Sequence, residues 1–324
     1  MRRTLCTVSL ALFCLLVAAI PRAQDYPSKP INVVVPFAAG GANDFQGRVI
    51  AQRLSEALGQ PVRVENRPGA GGNIGAEFVA KSAPDGYTLL FVVSSVIVIN
   101  PFVYEKLSYD SIRDLAPVAM CCEISQLVVV NPSLGARSLN DLIALARSKP
   151  GALSYGSMGN GSTGHLNMEA LKLLAGINAL HVPYKGAAPA LVDLVSGRIS
   201  MMIVSFGVTQ SHIQSGALRV LAVGSKERSS ALPDIPTVSE AGLAGYEAPE
   251  WIGMFAPFAT PKEIVSKLNT ELVRIAMSPE FRERLRKNGL EPARVSTPEA
   301  FAAFIQSERQ RAQLLVRSTG AKVD

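Results

Sequence analysis

Short apolar runs alternate with amphipathic stretches along most of the chain. The apolar runs are rich in Val and Ile and have the length of strands, which is typical of sheets covered on both faces. They predict strands at Ile31–Val35, Val62–Glu65, Thr88–Val93, Leu127–Val130, Leu153–Tyr155, Ala179–Val182, Met201–Val204 and Arg219–Val223. The amphipathic stretches predict helices at Asp44–Leu58, Gly75–Ser82, Leu139–Lys149, His165–Leu174, Ala188–Ser196 and Val208–Gln214. This alternation predicts an α/β fold with largely parallel sheets.

The last part of the chain has a helical pattern instead. Thr260-Pro261, Ser278-Pro279 and Thr297-Pro298 each place a capping hydroxyl before a proline, which is typical of a helix start. We expect these helices to cover an earlier sheet and to do nothing more.

Two extended stretches, Glu123–Val130 and Arg219–Gly224, indicate that the chain crosses twice between two lobes. Dividing the chain there gives a discontinuous first lobe, residues 24–125 plus 225–324, and a second lobe, residues 126–224. Both have an ordinary domain size. Two lobes joined by two extended segments predict a hinged clamshell with its ligand cleft between the lobes.

The first residues have the pattern of a secretory signal peptide. Arg2 and Arg3 precede an apolar run from Leu5 to Ile20, and Ala23 offers a small residue for cleavage. We therefore expect residues 1–23 to be removed and the mature chain to be exported. The apolar run is short for a membrane span, and an uncleaved anchor is the alternative.

Charge and cysteine content narrow the class further. The formal charge of +6 includes Arg2, Arg3 and Arg22, which leave with the signal peptide, so the mature chain is only weakly basic. Without a basic stripe, nucleic-acid binding is not expected. Cys121 and Cys122 are the cysteines that remain, and neighbouring cysteines strain to bridge each other. We expect buried thiols, with a redox pair as the alternative.

A glycine-rich turn, Pro36–Asp44, joins the first predicted strand to the first predicted helix. Backbone N–H groups at such a helix N-terminus attract a carboxylate or a phosphate without a charged side chain. Asp44 is expected to cap its own helix or to hold a bridging water. A further cluster, Asn66–Gly75, is either a tight connection or a wall beside this turn.

A second turn of the same kind, Tyr155–His165, lies in the second lobe. Gly159, Gly161 and Gly164 fit the dinucleotide fingerprint, but the following strand ends in Pro183-Tyr184-Lys185, where an acid for the ribose is expected. The sequence therefore disfavours a nucleotide. The turn also carries the hydroxyl groups of Ser157, Ser162 and Thr163, which lie beside its free N–H groups. Two such turns facing across a cleft would hold one carboxylate from both sides.

Other candidate ligand contacts lie where predicted strands end, because strand ends in open α/β sheets point at the ligand crevice. They are Ser94, Ser95, Tyr184, Lys185 and Ser205. For Lys185 a surface position on a turn is the alternative.

Catalytic and metal-binding patterns are weak. His165, His181 and His212 have no metal-site spacing. Ser162 with His165 suggests an exported serine hydrolase as an alternative function, but the chain lacks a G-x-S-x-G elbow. We favour a helix-capping or packing role for His165, and we expect no enzyme activity, no metal and no cofactor.

The chain resembles the Bug family, the extracytoplasmic receptors of tripartite tricarboxylate transporters. The resemblance rests on stretches that occur in order along nearly the whole mature chain, including Pro36–Asp44, Glu65–Gly72, Pro84–Thr88, Tyr155–Ser162 with His165, Val182–Gly186, Arg219–Val223 and Pro233–Thr237. It implies a periplasmic, monomeric solute-binding receptor with a two-lobe, type II-like periplasmic-binding-protein fold. Its partners would be a small carboxylate ligand and the membrane subunits of a transporter.

The resemblance also implies ligand contacts by position. They are Phe37, Ala39, Gly40, Gly41 and Asp44 in the first lobe, with Ser157, Gly159, Ser162 and Thr163 in the second. The stretches Val204–Gly207 and Ser94–Ile97 are more apolar than the family pattern, which disfavours an amino-acid or citrate-like ligand. A ligand-sensing subunit for a signalling kinase is the alternative to transport.

Overall fold

The computed structural model describes residues 26–40 and 42–322, so the predicted signal peptide and Gly41 lie outside the described residues. The strands are β1 Ile31–Val35, β2 Val62–Asn66, β3 Thr88–Val93, β4 Leu115–Ile124, β5 Gln126–Val130, β6 Ser154–Ser157, β7 Leu180–Pro183, β8 Met201–Ser205, β9 Arg219–Val223, β10 Trp251–Pro257 and β11 Leu290–Pro292. The helices are α1 Ala42–Leu58, α2 Asn73–Ala80, α3 Ser94–Val98, α4 Asn100–Val103, α5 Leu139–Ser148, α6 Thr163–Ala175, α7 Ala187–Val195, α8 Phe206–Gln214, α9 Lys262–Met277, α10 Pro279–Lys287 and α11 Pro298–Thr319.

The first sheet has the strand order β11-β4-β10-β3-β1-β2. Strand β1 pairs in parallel with both β2 and β3, with Val33 opposite Val64 on one side and Leu89 on the other. Strand β10 runs antiparallel between β3 and β4, and β11 runs antiparallel to β4. The expectation of a largely parallel sheet is therefore wrong for this half of the sheet. The cause is a late segment of the chain that returns and inserts between two early strands.

The second sheet has the order β7-β6-β8-β5-β9 and is also mixed. Strand β6 is parallel to β7 and β8, whereas β5 is antiparallel to β8 and β9. Its core has two parts, one on each face, represented by Tyr155 and Leu171 on one face and Met202 and Leu194 on the other. The α/β prediction is thus confirmed, with two mixed sheets in place of parallel ones.

The elements that sequence reasoning missed are the short helices α3 and α4, the strands β10 and β11, and all but the last two residues of strand β4. The α3 sequence Ser94–Val98 is an apolar run that follows a strand directly, so its periodicity does not separate helix from strand. Strand β10 is buried along its whole length and has a continuous apolar sequence, and its partners β3 and β4 are distant in the chain.

The predicted lobe boundaries at Ser125 and Ser225 remain a prediction. Ser125 lies between β4 of the first sheet and β5 of the second. The segment after Ser225 still packs on the second sheet, since Val238, Tyr246 and Ala248 belong to the hydrophobic core of that sheet. Strand β10 then returns to the first sheet.

Cys121 and Cys122 lie side by side in β4 and are both buried and free. Burial raises the pKa of the Cys121 thiol to about 12 and that of Cys122 well above its ordinary value. A thiol held protonated in this way is a poor nucleophile, so the two residues act as small apolar side chains.

The C-terminal helix α11 closes the first core. Phe301 is fully buried and meets the ring of Trp251 edge-on, with ring centroids 5.0 Å apart, and the ring of Phe255 at 5.5 Å. Aromatic side chains of this size contribute large buried areas to a core. The same helix also packs against α6 of the second lobe. Within residues 26–40 and 42–322, no helix is both long and apolar enough to cross a membrane.

We predict that Phe301→Ala lowers the free energy of unfolding by roughly 3–5 kcal/mol, because it leaves a cavity against Trp251 and Phe255. Leu314→Ala is the matched control, since Leu314 lies on the same helix with its side chain 68% exposed. The control should change the free energy by less than about 0.5 kcal/mol. Urea unfolding followed by tryptophan fluorescence measures both, and equal effects would contradict this account of the core.

Candidate functional site

The first glycine-rich turn is held by the helix that follows it. Asp44, the third residue of α1, accepts a hydrogen bond from the Gly40 N–H at 2.9 Å. Gly40 has a φ of +81°, a conformation that favours glycine, and the Asp44 side chain is buried beneath it. The predicted capping role of Asp44 is therefore confirmed. The Gly40 N–H has an acceptor within the chain, which leaves fewer N–H groups of this turn for a ligand than we expected.

Two further side chains fix the Asp44 carboxylate. Arg48 lies 3.0 Å and 2.9 Å from its two oxygens, and Asn66 Nδ2 donates to Oδ1 at 2.9 Å. The Arg48 hydrogen bond is the largest contribution that lowers the pKa of Asp44 to about 2, against the opposing effect of burial. The group is thus a fixed anion at neutral pH, already neutralised by Arg48.

Asn66 also connects the first turn to the second glycine cluster. Its Nδ2 donates to the Phe37 carbonyl at 3.0 Å. A Cβ added at Gly72 would lie 3.3 Å from the tip of the Phe37 ring, so the Asn66–Gly75 cluster packs directly beside the turn. Ala39 is exposed. Both alternatives describe this cluster, because Gly69, Gly71 and Gly72 have the positive φ of a tight connection and the cluster lies beside the first turn.

The second glycine-rich turn is closed by its own hydroxyl groups. Ser157 is fully buried, and its Oγ accepts from the Gly159 N–H at 3.1 Å. Ser162 caps α6: its Oγ donates to the Gly159 carbonyl at 2.7 Å and accepts from the His165 N–H at 3.4 Å. These bonds shape the turn from inside. Ser162 is half-buried, so its remaining surface can still meet a ligand.

The second turn touches the first lobe. A Cβ added at Gly161 would lie 3.1 Å from Val103 at the end of α4. Thr163 is buried near Glu250, whose carboxylate accepts a hydrogen bond from Gln126 of β5. Burial raises the pKa of Glu250 to about 7, and the nearby Thr163 hydroxyl opposes that shift. These contacts connect the second turn to the strands that join the lobes.

Two of the predicted residues meet at a small internal space between the lobes. Ser94 of α3 and Thr163 of α6 both line it, together with Asn167 and Arg311. The Asn167 Nδ2 and Arg311 Nε donors are buried there, and neither has a hydrogen-bond partner within the described residues. Ser95, the neighbour of Ser94, is half-buried. This space is about 10 Å³, so it is too small for an organic ligand.

A larger cavity of about 310 Å³ brings Gly40 of the first lobe and Ser205 of the second together. The beginning of α1 and the beginning of α8 both contribute to its wall, so two helix N-termini adjoin one space. Its other lining residues are amides and apolar side chains, namely Asn43, Phe45, Gln46, Ile124, Gly207, Val208, Ile252, Asn288 and Leu290. The lining set contains no Lys or Arg. Backbone N–H groups and amides are therefore what this cavity offers to an anion.

The remaining predicted residues lie elsewhere. The Tyr184 hydroxyl donates to Asp193 at 2.7 Å, and the Tyr184 N–H donates to the Ser157 carbonyl at 3.1 Å, so this residue braces the second turn. Lys185 is exposed, as its alternative reading proposed. Neither residue belongs to the lining of the larger cavity, nor do Ser157, Gly159 and Ser162. A carboxylate clamped between the two turns thus stays a prediction.

Several cavity residues were missed by sequence reasoning. Asn43, Phe45 and Gln46 lie in the first turns of α1, whose start the sequence did indicate. Asn288 follows α10 directly and Leu290 begins β11, in the helical tail that we expected only to cover a sheet. That expectation is wrong at these two positions, because the link from α10 to β11 brings them to the lobe junction.

The serine-hydrolase alternative is wrong on geometry. The Ser162 hydroxyl is used by Gly159, and His165 Nδ1 accepts the Gly161 N–H at 3.1 Å, so the two side chains do not form a nucleophile–base pair. Ser157 does lie 2.7 Å from His181 Nε2, but Ser157 is fully buried and cannot reach a substrate. Among the described residues, no group of three or more His, Cys, Asp or Glu side chains is placed to hold a metal.

Comparisons with known proteins show the family and the fold of the chain. The family model described as "Tripartite tricarboxylate transporter family receptor" matches residues 47–321. The chain is 38% identical to protein BugT of Bordetella pertussis over 324 residues, which is 100% of this chain and 99% of the relative. It is similar to the adipate-bound R. palustris protein Rpa4515, with a TM-score of 0.81, 37% identity and coverage of 92% and 100%. It is also similar to the malate-bound MatC of Rhodopseudomonas palustris, with a TM-score of 0.75, 32% identity and coverage of 90% and 100%.

We predict that Asp44 makes the stability of the protein depend on acid pH. Its folded pKa of about 2 lies below the ordinary value of 3.8, so its stabilising effect is complete above pH 3.8. The effect is lost as the pH falls from 3.8 through 2. Urea unfolding between pH 5 and pH 2 should therefore show a flatter profile in Asp44→Asn than in the wild type.

The exposed Asp234 provides the control for this measurement. Asp234→Asn should keep the acid dependence of the wild type. Parallel profiles for the wild type and Asp44→Asn would contradict the role assigned to this carboxylate.

Proposed function

The chain belongs to the tripartite tricarboxylate transporter receptor family, as the resemblance predicted, and we propose that it captures a small carboxylate in the cavity between Gly40 and Ser205. Members of this family are periplasmic solute-binding receptors with two lobes, and they are not enzymes. The observation that carries the proposal is the cavity itself, because both lobes and two helix N-termini contribute to it.

The chemistry of the lining suggests the class of ligand. At about 310 Å³ the cavity is at the lower end of ligand-site volumes, which fits a compact molecule. Phe45, Ile124, Val208, Ile252 and Leu290 offer apolar surface. Polar groups come from Asn43, Gln46, Ser205 and Asn288. We propose an aliphatic carboxylate with an apolar body, and the adipate of the similar protein Rpa4515 is a molecule of this kind.

The proposed binding mode uses neutral donors. Backbone N–H groups at the starts of α1 and α8, with the Ser205 hydroxyl, replace the hydration of one carboxylate. The second glycine-rich turn, with Ser162, adds donors from outside the lining of the cavity, because β6 and β8 run in parallel and end at the same edge of the sheet. Hydrogen bonds to a charged group contribute about 1.5–3 kcal/mol each, so a few of them suffice for a specific small-molecule site. A ligand that contacts both lobes binds their joined arrangement more tightly and therefore favours it.

A thermal-shift screen over aliphatic mono- and dicarboxylates tests the proposal. A ligand present at 100 times its dissociation constant should stabilise the protein by about 2.7 kcal/mol. Adipate and malate belong in the library, with neutral diols of the same chain lengths as controls. Stabilisation by diols alone, or by no compound of either class, would overturn the proposal.

We predict that Val208→Trp weakens binding of any carboxylate found in that screen by roughly tenfold or more, because the indole ring fills the cavity. Val208 is 39% exposed, so the larger side chain should leave the fold intact. Val192→Trp is the matched control, since Val192 is 64% exposed on α7 of the same lobe and does not line the cavity. Calorimetric titration measures the affinity of both variants for that carboxylate. Equal affinities would place the ligand elsewhere.

We also propose that the exported protein delivers its ligand to membrane subunits of a transporter and acts as a monomer. The support is family membership. Deleting the gene should abolish uptake of the ligand found in the screen, and a plasmid copy should restore uptake. Normal uptake with a lost transcriptional response to the ligand would instead favour the sensing alternative.

A further inference from the structure

Two histidine rings stack beneath the second glycine-rich turn. His165 of α6 and His181 of β7 have ring centroids 4.0 Å apart and ring planes only 4° from parallel. Tyr155 of β6 extends the stack, with its ring 4.8 Å from that of His181. His165 is buried and His181 is half-buried. Three neighbouring elements thus place two imidazoles directly against the turn.

Each imidazole makes one hydrogen bond to a different part of the turn. His165 Nδ1 accepts the Gly161 N–H at 3.1 Å. His181 Nε2 lies 2.7 Å from Ser157 Oγ, and that hydroxyl accepts the Gly159 N–H at 3.1 Å. The pair therefore holds the backbone on both sides of Asn160, at two glycines with φ of +124° and +72°. Gly159 and Gly161 adopt conformations that few other residues reach, and the two hydrogen bonds hold their N–H groups in one direction.

The bond to Gly161 fixes the protonation state of His165. A ring nitrogen that accepts a backbone N–H carries no proton, so His165 is neutral in this arrangement. Burial lowers the pKa of His165, and burial is also the first cause that lowers the pKa of His181 to about 4. A proton on His165 would lower the pKa of His181 further. The charged groups facing the pair are Glu169 and Lys172, which pair with each other at 2.6 Å. The Tyr155 hydroxyl also donates to Glu169.

We propose that the neutral, stacked pair of His165 and His181 is the positioning element that keeps the N–H groups of the Gly156–Ser162 turn in place for the ligand. Neither ring is assigned a contact with the ligand. The part of this inference that concerns ligand binding rests on the proposed function. The part that concerns the hydrogen bonds supporting the turn does not depend on any ligand.

The experiment compares shape-matched substitutions with apolar ones. The Oδ1 atom of Asn and the Nδ1 atom of His are separated from Cα by the same number of covalent bonds. The same holds for the Oε1 atom of Gln and the Nε2 atom of His. His165→Asn and His181→Gln should therefore keep the hydrogen bonds that His165→Leu and His181→Leu remove. His212→Leu, in the last turn of α8, is the matched control for loss of a histidine.

The first readout needs no ligand. Amide hydrogen exchange measured by NMR should accelerate about tenfold or more at Gly161 in His165→Leu and at Gly159 in His181→Leu. Exchange should stay within about threefold of wild type in His165→Asn, His181→Gln and His212→Leu. Unchanged exchange at both glycines in the two Leu variants would overturn the proposal.

The second readout is adipate binding at pH 7.5. Affinity should fall about tenfold or more in the Leu variants and recover with Asn and Gln. His165→Leu leaves the Gly161 N–H without its acceptor, and His181→Leu leaves the Ser157 hydroxyl, which holds the Gly159 N–H, without its partner. Wild-type affinity in variants whose turn is loosened would overturn the positioning role. Should the wild type bind neither adipate nor any other carboxylate, the proposed function fails, while the exchange data still decide whether the pair supports the turn.

The third readout is the pH dependence of the free energy of unfolding, because both histidines are neutral in the folded protein. In the unfolded chain both histidines take up protons near pH 6.5, whereas their pKa values are lower in the folded protein. The free energy of unfolding of the wild type therefore falls as the pH drops from 6.5 toward 4. The double variant His165→Asn/His181→Gln should lose that part of the pH dependence, and His212→Leu should retain it. Identical profiles for wild type and double variant would contradict a neutral pair.

Discussion

The N–H groups at a helix start need acceptors, and both lobes meet this constraint with the same arrangement. In each lobe the third residue of a helix turns its side chain back to the N–H two residues before the first helical residue. Asp44 does so for Gly40 at 2.9 Å, and His165 does so for Gly161 at 3.1 Å. Fixing that N–H fixes the glycine before the helix, and with it the direction of every other free N–H group of the turn.

The two acceptors differ in charge, but the electrostatic outcome is similar. Asp44 is an anion, and Arg48 at 3.0 Å and 2.9 Å neutralises it, whereas His165 is neutral by its hydrogen bond. Neither turn therefore carries a net side-chain charge at its centre. An incoming carboxylate meets backbone dipoles and hydroxyl groups, which is consistent with a cavity whose lining contains no Lys or Arg. In the proposed binding mode, such a site would recognise the geometry of one carboxylate and would not require a highly charged ligand.

Local signals in the sequence predicted the parts of the site that local chemistry builds. Glycines before an amphipathic run predicted both turns, and the cap by Asp44 followed from its place in the first helical turn. The cavity wall could not be found in this way. Asn288 and Leu290 reach it only because β11 pairs with β4, and Ile252 only because β10 inserts between β3 and β4. Those pairings connect segments more than a hundred residues apart, and the spacing of hydrophobic residues along the chain does not reveal them.

The wall of the proposed ligand cavity is built across the lobe junction, so ligand specificity would depend on how the two lobes are joined. Phe206, at the start of α8, packs onto Gly289 so closely that a Cβ there would lie 2.2 Å from the ring. Gly289 also has a φ of +65° and accepts the Ser125 N–H through its carbonyl, so this contact lies directly beside the crossing strands. Asn288 and Gly207, which flank the contact, both line the cavity. Separating the lobes would therefore remove the distal wall and leave the turns in place. In the proposed binding mode the carboxylate meets donors of both lobes, and the apolar body is enclosed, only when the lobes are joined. It follows that both parts of the ligand contribute to the differential affinity that favours joining.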